Sequence, residues 1–269
     1  MSNKIDEITN CVINNIPVRF LKYGDGEYYC SAKYIHNIPW TENCDNDTYT
    51  HKLSNSITES FKYITNFNNT FIGKWFDPNV VKYWETLTTE DIKWTDYHTF
   101  LFEHGDLDDN GKFIQKTKIY RAIKESKLKK IIICNELLIK TKILLNIDHV
   151  VIIPLSKWFD AKFDDVLNEV KKLIGEKDGK HIVLTSCGMG AKVLISELHK
   201  SYPNGIYLDI GSGLDCICTK RDSRGWGYGY DKIYNKFKEN HLLPDNWNNV
   251  EYDFIYEEAY NKLGTHLPK

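Results

Sequence analysis

The sequence predicts an α/β fold in which helices cover both faces of a mainly parallel sheet. The chain has 269 residues, 42% hydrophobic and 27% charged, which suits one large globular domain. Apolar runs of strand length alternate with segments of helical periodicity, as is typical of parallel strands joined by right-handed crossovers. No internal repeat or low-complexity linker divides the chain, so we expect a single domain over residues 1–269.

The predicted strands are short apolar runs that end at glycine or polar residues. In chain order they cover residues 18–23, 70–74, 98–102, 130–134, 149–154, 181–186 and 205–210. The predicted helices between them cover residues 25–34, 45–67, 112–127, 136–146, 160–174 and 191–201. The segment 74–111, rich in Trp, Tyr, Asp and Thr, is predicted to be an insertion, and 219–269 a C-terminal appendage.

Charge and apolar patterning argue against several classes of protein. The 35 basic and 37 acidic residues give a net charge of -2, so nucleic acid and anionic membranes are not expected partners. No window reaches the roughly 18 consecutive apolar residues of a membrane span, and the start MSNKIDEITN lacks the apolar core of a signal peptide. The 7 cysteines form no pair of Cys-X-X-Cys motifs. We therefore expect a cytoplasmic protein with reduced thiols and a small-molecule chemistry.

The first candidate site is the sequence KYGDGEYY, which follows the first predicted strand. Gly24 and Gly26 allow the backbone to turn sharply, so that Asp25 and Glu27 can face one divalent ion with carboxylate oxygens. Such an ion would neutralise the diphosphate of a nucleotide-sugar and stabilise the leaving group. The alternative interpretation is a turn with two solvated acids.

The second candidate site is the sequence TSCGMGAKVLISELHK, in which a strand ends at Ser186 and a helix follows. The turn between them contains Gly188, Met189 and Gly190, and would present backbone N–H groups and a positive helix end to a phosphate. Lys192 could add positive charge. A tight strand-to-helix connection without a ligand explains the same pattern, so both interpretations remain open.

The third candidate site is YLDIGSGLD, and it supports two interpretations. It is similar to the glycine-rich first motif of S-adenosylmethionine-dependent methyltransferases. In those enzymes most of the catalytic domain follows the motif, whereas only about 55 residues remain here. We therefore interpret it as the last strand of the sheet, with Asp209 pointing into the site and Asp215 serving as a turn acid or helix cap.

A catalytic base is harder to choose. Glu103 and His104, at the end of FLFEH, are a carboxylate and an imidazole beside a predicted strand end, and either could deprotonate an acceptor hydroxyl. Asp209 is the rival candidate. Among the aromatic residues, whose flat faces stack on sugar rings, Trp158 and Trp226 are the preferred sugar contacts.

Taken together, KYGDGE, SCGMGAKVL and YLDIGSGLD resemble the GT-D family of glycosyltransferases over roughly residues 12–218. Members of that family carry Arg-X-Gly-Asp-Gly-Glu after the first strand, a late glycine-rich strand-turn-helix, and a strand that ends in Asp-Ile-Gly. This chain has Lys22 in place of the family's arginine. A lysine supplies charge but not the bidentate fork of a guanidinium.

The resemblance implies a Rossmann-like fold and transfer of a hexose from a nucleoside-diphosphate sugar, with a UDP-sugar as the expected donor, to a glycan or other hydroxyl acceptor. Asp25 and Glu27 would bind the metal, Mn²⁺ or Mg²⁺. The residues expected around the donor are Lys22, Gly24, Gly26, Asn135, Ser186, Gly188, Met189, Gly190 and Lys192. An S-adenosylmethionine-dependent methyltransferase and a noncatalytic carbohydrate-binding module remain the alternatives.

Overall fold

A computed structural model describes residues 4–102, 112–221, 229–245 and 247. Within these residues the strands form one sheet in which every pair of neighbours is parallel. The strands are β1 (Val18–Lys22), β2 (Thr70–Lys74), β3 (Trp94–Asp96), β4 (Lys129–Cys134), β5 (His149–Ile152), β6 (His181–Ser186) and β7 (Ile206–Asp209). Their order in the sheet is β3-β2-β1-β7-β6-β4-β5.

Helices lie on both faces of this sheet, which confirms the predicted α/β, Rossmann-like architecture. The helices are α1 (Lys4–Ile13), α2 (Asp25–His36), α3 (His51–Ile64), α4 (Pro78–Glu85), α5 (Lys112–Glu125), α6 (Thr141–Leu144), α7 (Trp158–Ile174), α8 (Gly190–Ser201), α9 (Asp215–Thr219) and α10 (Tyr230–Glu239). No helix in the described part of the chain is long and apolar enough to cross a membrane.

Each face of the sheet has its own apolar core, because successive side chains of a strand point to opposite faces. In β1, Leu21 joins the core beneath α2, α3, α4, α7 and α8, whereas Phe20 joins the core beneath α1, α5, α9 and α10. All five residues of β1 are buried. The strand is thus covered on both sides, as expected for the middle of a parallel sheet.

The prediction of a strand at residues 98–102 is wrong. The observed strand, β3, ends at Asp96, and residues 97–100 form a turn. The side chain of Asp96 accepts the backbone N–H of His98 at 3.0 Å, and its carbonyl accepts the Thr99 hydroxyl at 2.7 Å. Aspartate commonly ends a strand in this way, since its side chain offers the backbone a local partner.

The helix predicted from residue 45 begins later, at His51. Thr50 is its N-cap, and the Thr50 hydroxyl accepts the backbone N–H of Leu53 at 3.1 Å. Before it, the Asn43 side chain accepts the N–H groups of Asp45 and Asp47, at 3.0 and 2.8 Å, so this segment folds as a loop. The helix predicted at 136–146 is also interrupted, with a 3-10 turn over Glu136–Leu138 preceding α6.

The segments predicted as insertion and appendage contribute directly to the sheet and the core. The described part of 74–111 supplies α4 and the edge strand β3. From α10, the ring of Phe237 packs 5.2 Å from Phe102 and 5.7 Å from Tyr120.

The strand order reverses direction beside β1. The chain moves outward from β1 to β3 on one side, and the remaining strands lie on the other side, with β7 between β1 and β6. In open α/β sheets, ligands bind beyond the carboxyl ends of the strands at such a switch point. We call the space beyond the carboxyl ends of β1, β6 and β7 the crevice.

Candidate active site

Three charged side chains meet at the crevice from distant parts of the chain. The ammonium of Lys192, in the first turn of α8, lies 2.7 Å from Glu27 Oε1 and 3.0 Å from Asp209 Oδ2. Glu27 belongs to the first turn of α2, and Asp209 ends β7. The side chains are only 2–8% exposed. We call Lys192, Glu27 and Asp209 the ionic triad.

Backbone groups hold both acids of the triad in place. Glu27 Oε2 accepts the N–H of Gly24 at 2.9 Å, which also closes the first turn of α2. Asp209 accepts the N–H groups of Lys22, at 3.3 Å, and Gly211, at 3.2 Å. A buried charge is stable only when it is paired and hydrogen-bonded in this way. The geometry of the triad is therefore fixed before any ligand arrives.

The electrostatics of the crevice follow from burial and from these pairs. Burial by itself would lower the pKa of Lys192, but Asp209 and Glu27 together raise that pKa well above its ordinary value. Burial also raises the pKa of the Tyr97 hydroxyl well above its usual range. Lys192 is thus a permanent cation, and its charge is already shared between two acids rather than presented to a phosphate.

Asp25 and Glu27 differ sharply in position although they are one residue apart. Asp25 is exposed at the start of α2, and its Oδ1 accepts the N–H of Gly26 at 2.9 Å, whereas Glu27 points inward to the triad. No three His, Cys, Asp or Glu side chains cluster around a metal position among the residues that the structure describes. Any ion held here would rest on these two carboxylates.

The glycine-rich turn before α8 is closely packed. Gly188 has φ = 62°, and a Cβ added there would lie 2.9 Å from Asp47 Oδ2. A Cβ at Gly190 would lie 2.4 Å from the ring of Trp158. Ser186 donates its hydroxyl to the Gly211 carbonyl at 2.6 Å, which ties the turn to the end of β7. Met189, within the turn, is buried.

Trp158 supports this turn from inside the protein. Its indole N–H donates to the Cys187 carbonyl at 2.9 Å, and the residue is 2% exposed. The expectation that Trp158 stacks on a sugar is therefore wrong, since its ring faces protein. The other preferred sugar contact, Trp226, lies outside the described residues, as do the candidate bases Glu103 and His104.

Comparison of this structure with solved structures identifies proteins of the same fold. Neither a protein-family model nor a curated protein sequence matches the chain. A structure described as domain of unknown function 1792 with a distinct glycosyltransferase fold has a TM-score of 0.54 and 16% identity, covering 95% of this chain and 88% of its own. A new glycosyltransferase (DUF1792) from Streptococcus sanguinis has a TM-score of 0.59 and 12% identity, covering 91% and 95%. This chain has the DUF1792 fold.

Two more of the predicted donor residues lie at the carboxyl ends of strands in this DUF1792-like fold. The Lys22 ammonium lies 5.1 Å from the centre of the Tyr97 ring, beside Gly211. Asn135 ends β4, and its side chain accepts the N–H of Leu137 at 2.9 Å, so it caps the 3-10 turn. The structure thus places Lys22 at the crevice, whereas the Asn135 side chain oxygen serves its own backbone.

Asp47 is a buried acid of the crevice that the motifs do not reveal. Its Oδ1 accepts the N–H of Lys157 at 2.7 Å, and its Oδ2 lies over Gly188, so it joins two loops at the carboxyl edge. Burial raises its pKa from 3.8 to about 6, although the N–H of Lys157 acts in the opposite direction. The turn-forming run ENCDND around it is the signal that could have pointed to a loop there.

Proposed function

We propose that this protein is a metal-dependent glycosyltransferase. It transfers a hexose from a nucleoside-diphosphate sugar, with a UDP-sugar as the expected donor, to a hydroxyl group of a glycan or other acceptor. The observation that carries the proposal is the ionic triad, placed at the switch point of a fold shared with structures described as glycosyltransferases. Function depends on the site rather than on the fold, so the argument rests on the charges there.

The charge of the crevice supports a cation requirement. Among the residues that the structure describes, the charged groups that we place around it are Asp25, Glu27, Asp47, Asp209, Lys22 and Lys192. With all of them ionised, the carboxylates outnumber the ammonium groups by two. A diphosphate would be repelled by this excess, whereas a divalent cation would neutralise it. Carboxylate oxygens are also the ligands that Mg²⁺ and Mn²⁺ prefer.

Of the two expected metal ligands, Glu27 retains acceptor positions for such an ion. A carboxylate offers about four lone-pair positions, and the contacts of Glu27 with Lys192 and Gly24 use about two of them. Asp25 stands exposed one residue earlier. Asp25 and Glu27 would hold the metal, which when bound would stabilise the negative charge of the departing diphosphate.

The other residues have separate roles in the proposal. Backbone N–H groups of the turn at Gly188 and Gly190 would bind phosphate at the positive end of α8. The oxygens of Asp209 are committed to Lys192 and to backbone N–H groups, which favours positioning over proton transfer.

A thermal-shift experiment tests the proposal. The purified protein is mixed with UDP, with other nucleoside diphosphates or with S-adenosylmethionine, each with and without Mn²⁺. A ligand at about a hundred times its dissociation constant adds about 2.7 kcal/mol to stability. We expect UDP to raise the melting temperature only with Mn²⁺. Asp25→Ala should abolish the rise. The control is Asp178→Ala, which removes an exposed acid just before the amino end of β6, away from the crevice, and this variant should retain the rise.

The other outcomes each have a distinct meaning. Stabilisation by S-adenosylmethionine alone would identify YLDIGSG as a methyltransferase motif. Stabilisation by UDP without metal would contradict the proposed role of Asp25 and Glu27. No response to any nucleotide would favour the noncatalytic carbohydrate-binding module. When UDP does bind, release of UDP from a panel of UDP-hexoses identifies the transferred sugar.

A further inference from the structure

Closely packed aromatic rings line the side of the crevice opposite the glycine-rich turn. Trp75 and Phe76 follow β2, and Tyr97 and His98 follow β3. The ring centres of Trp75 and Phe76 are 4.2 Å apart, those of Trp75 and Tyr97 4.5 Å, and those of Tyr97 and His98 5.1 Å. We call these four residues the aromatic wall. The contacts are tilted or edge-to-face, and they form a continuous row of rings at the carboxyl edge of the sheet.

The aromatic wall is in direct contact with the start of α2. A Cβ added to Gly24 would lie 2.5 Å from the Tyr97 hydroxyl oxygen, so Tyr97 packs against the backbone just before Asp25. Lys22 covers the same Tyr97 ring from the crevice side. The wall therefore borders the carboxylates to which the metal and donor are assigned in the proposed function.

Phe76 is the most exposed residue of the aromatic wall. The residue is 72% exposed, whereas Trp75 beneath it is 7% exposed. Apolar residues just before a helix N-cap often pack on the fourth residue of the helix, here Val81, but a ring this exposed makes little use of that contact. Its backbone is nevertheless fixed, because the next residue, Asp77, caps α4 by accepting the N–H of Asn79 at 2.8 Å.

A fixed, exposed ring is suited to one kind of ligand. The negative face of an aromatic ring attracts the weakly positive C–H groups on the apolar face of a pyranose. The contact with the Trp75 ring and the capped helix that follows restrict Phe76 before a ligand binds, which reduces the entropy lost on binding. An acidic or phosphorylated ligand would gain nothing from such a face.

We propose that Phe76 is the platform for the acceptor, and that the apolar face of a neutral pyranose stacks on its ring. This inference rests on the proposed function, since it places the acceptor beside the donor carboxylates. It assigns the two sides of the crevice to two substrates, with the glycine-rich turn for the donor and the aromatic wall for a glycan acceptor.

Saturation-transfer NMR tests this inference with neutral methyl glycosides as probes. The protein is loaded with UDP and Mg²⁺, which unlike Mn²⁺ is diamagnetic, and methyl β-glucopyranoside, methyl β-galactopyranoside and methyl α-mannopyranoside are titrated separately. We expect at least one glycoside to receive saturation mainly on one face of its ring. Phe76→Ala should weaken its binding about tenfold, the scale of an aromatic contact, whereas Phe76→Tyr should restore it. The matched control is Ile13→Ala. Ile13 is an apolar residue at the end of α1 that is 59% exposed, and this variant should bind the glycoside normally.

The same samples separate failure of the inference from failure of the proposed function. If UDP stabilises the wild-type protein with neither Mg²⁺ nor Mn²⁺, the proposed function fails. If it does so with either metal, but Phe76→Ala binds the glycoside as the wild type does, only the acceptor platform is wrong. Failure of all three glycosides to bind the loaded wild-type protein would also overturn the platform.

Discussion

The two sides of the crevice are built from different interactions. On the side of β6 and β7, a buried ammonium lies within 3.0 Å of two buried carboxylates. On the side of β2 and β3, the centres of neighbouring rings are 4.2–5.1 Å apart, and the ring of Phe76 is largely exposed. Buried charges tolerate almost no rearrangement, because an unpaired one is costly. Packed rings are held by many small dispersion contacts instead. The ionic side is therefore expected to tolerate substitution far less than the exposed ring of the aromatic side.

The largest expected effect comes from breaking the ionic side. Lys192→Met leaves Glu27 and Asp209 as unpaired buried carboxylates, so the free energy of unfolding should fall by about 3–5 kcal/mol. Urea denaturation followed by circular dichroism measures this. The combined change Lys192→Met and Asp209→Asn should recover part of the loss, since one positive and one negative charge leave together.

A matched control lies on the same helix. Lys200 is 48% exposed on the side chain and pairs with Glu197 at 2.6 Å. Lys200→Met should cost less than about 1 kcal/mol, because exposed ion pairs contribute little. Equal losses from the two lysine changes would show that the ionic triad is not a special feature of this side.

An intermediate effect is expected at Asp47, and it depends on pH. The folded state holds the proton of Asp47 more tightly than the unfolded chain does, because burial raises the pKa from 3.8 to about 6. This contribution to stability is full below the unfolded pKa and is lost as the pH rises through about 6. At pH 7 the ionised form therefore costs about 3 kcal/mol.

Asp47→Asn tests this sign. The amide oxygen can still accept the Lys157 N–H, so the variant should be more stable than the wild type at about pH 7 and lose that advantage near pH 4. Urea denaturation across this range measures the difference, with Asp178→Asn as an exposed control. A difference that does not change with pH would show that Asp47 keeps an ordinary pKa in the folded protein.

The smallest effect on stability is expected on the aromatic side. Phe76 is 72% exposed, so Phe76→Ala should change the free energy of unfolding by less than about 0.5 kcal/mol. Urea denaturation again measures it, and Ile13→Ala provides the exposed apolar comparison. A loss above about 2 kcal/mol would identify Phe76 as a packing residue and would remove the contrast between the two sides.

The sequence predicted the fold well where strands are long and apolar. β4 and β6 are runs of aliphatic residues bounded by polar ones, and their short length and β-branched residues favour strands. β3 was missed because it has only three residues, and the apolar run after it is more strand-like. The Asp96 side chain ends the strand before residue 98 by forming a turn, and apolar periodicity gives no information about such a side-chain contact.

The candidate site was predictable only in part, for a similar reason. Glu27 follows β1 and Asp209 is the last residue of β7, so local motifs indicated both residues. The partner of Lys192 was not predictable, because its contacts depend on β7 lying between β1 and β6. Strand order is a property of the whole sheet that no local pattern encodes. Asp47 was missed because its loop was interpreted as the first turns of a helix.

The position of β7 also has a consequence for how the protein is made. β7 is the last of the described strands to be synthesised, yet it occupies the middle of the sheet. Until residues 206–209 leave the ribosome, β1 and β6 each keep an open edge, whose free backbone groups can pair with other chains. Because Asp209 arrives with β7, the nascent protein completes its central sheet and its ionic triad in the same late step.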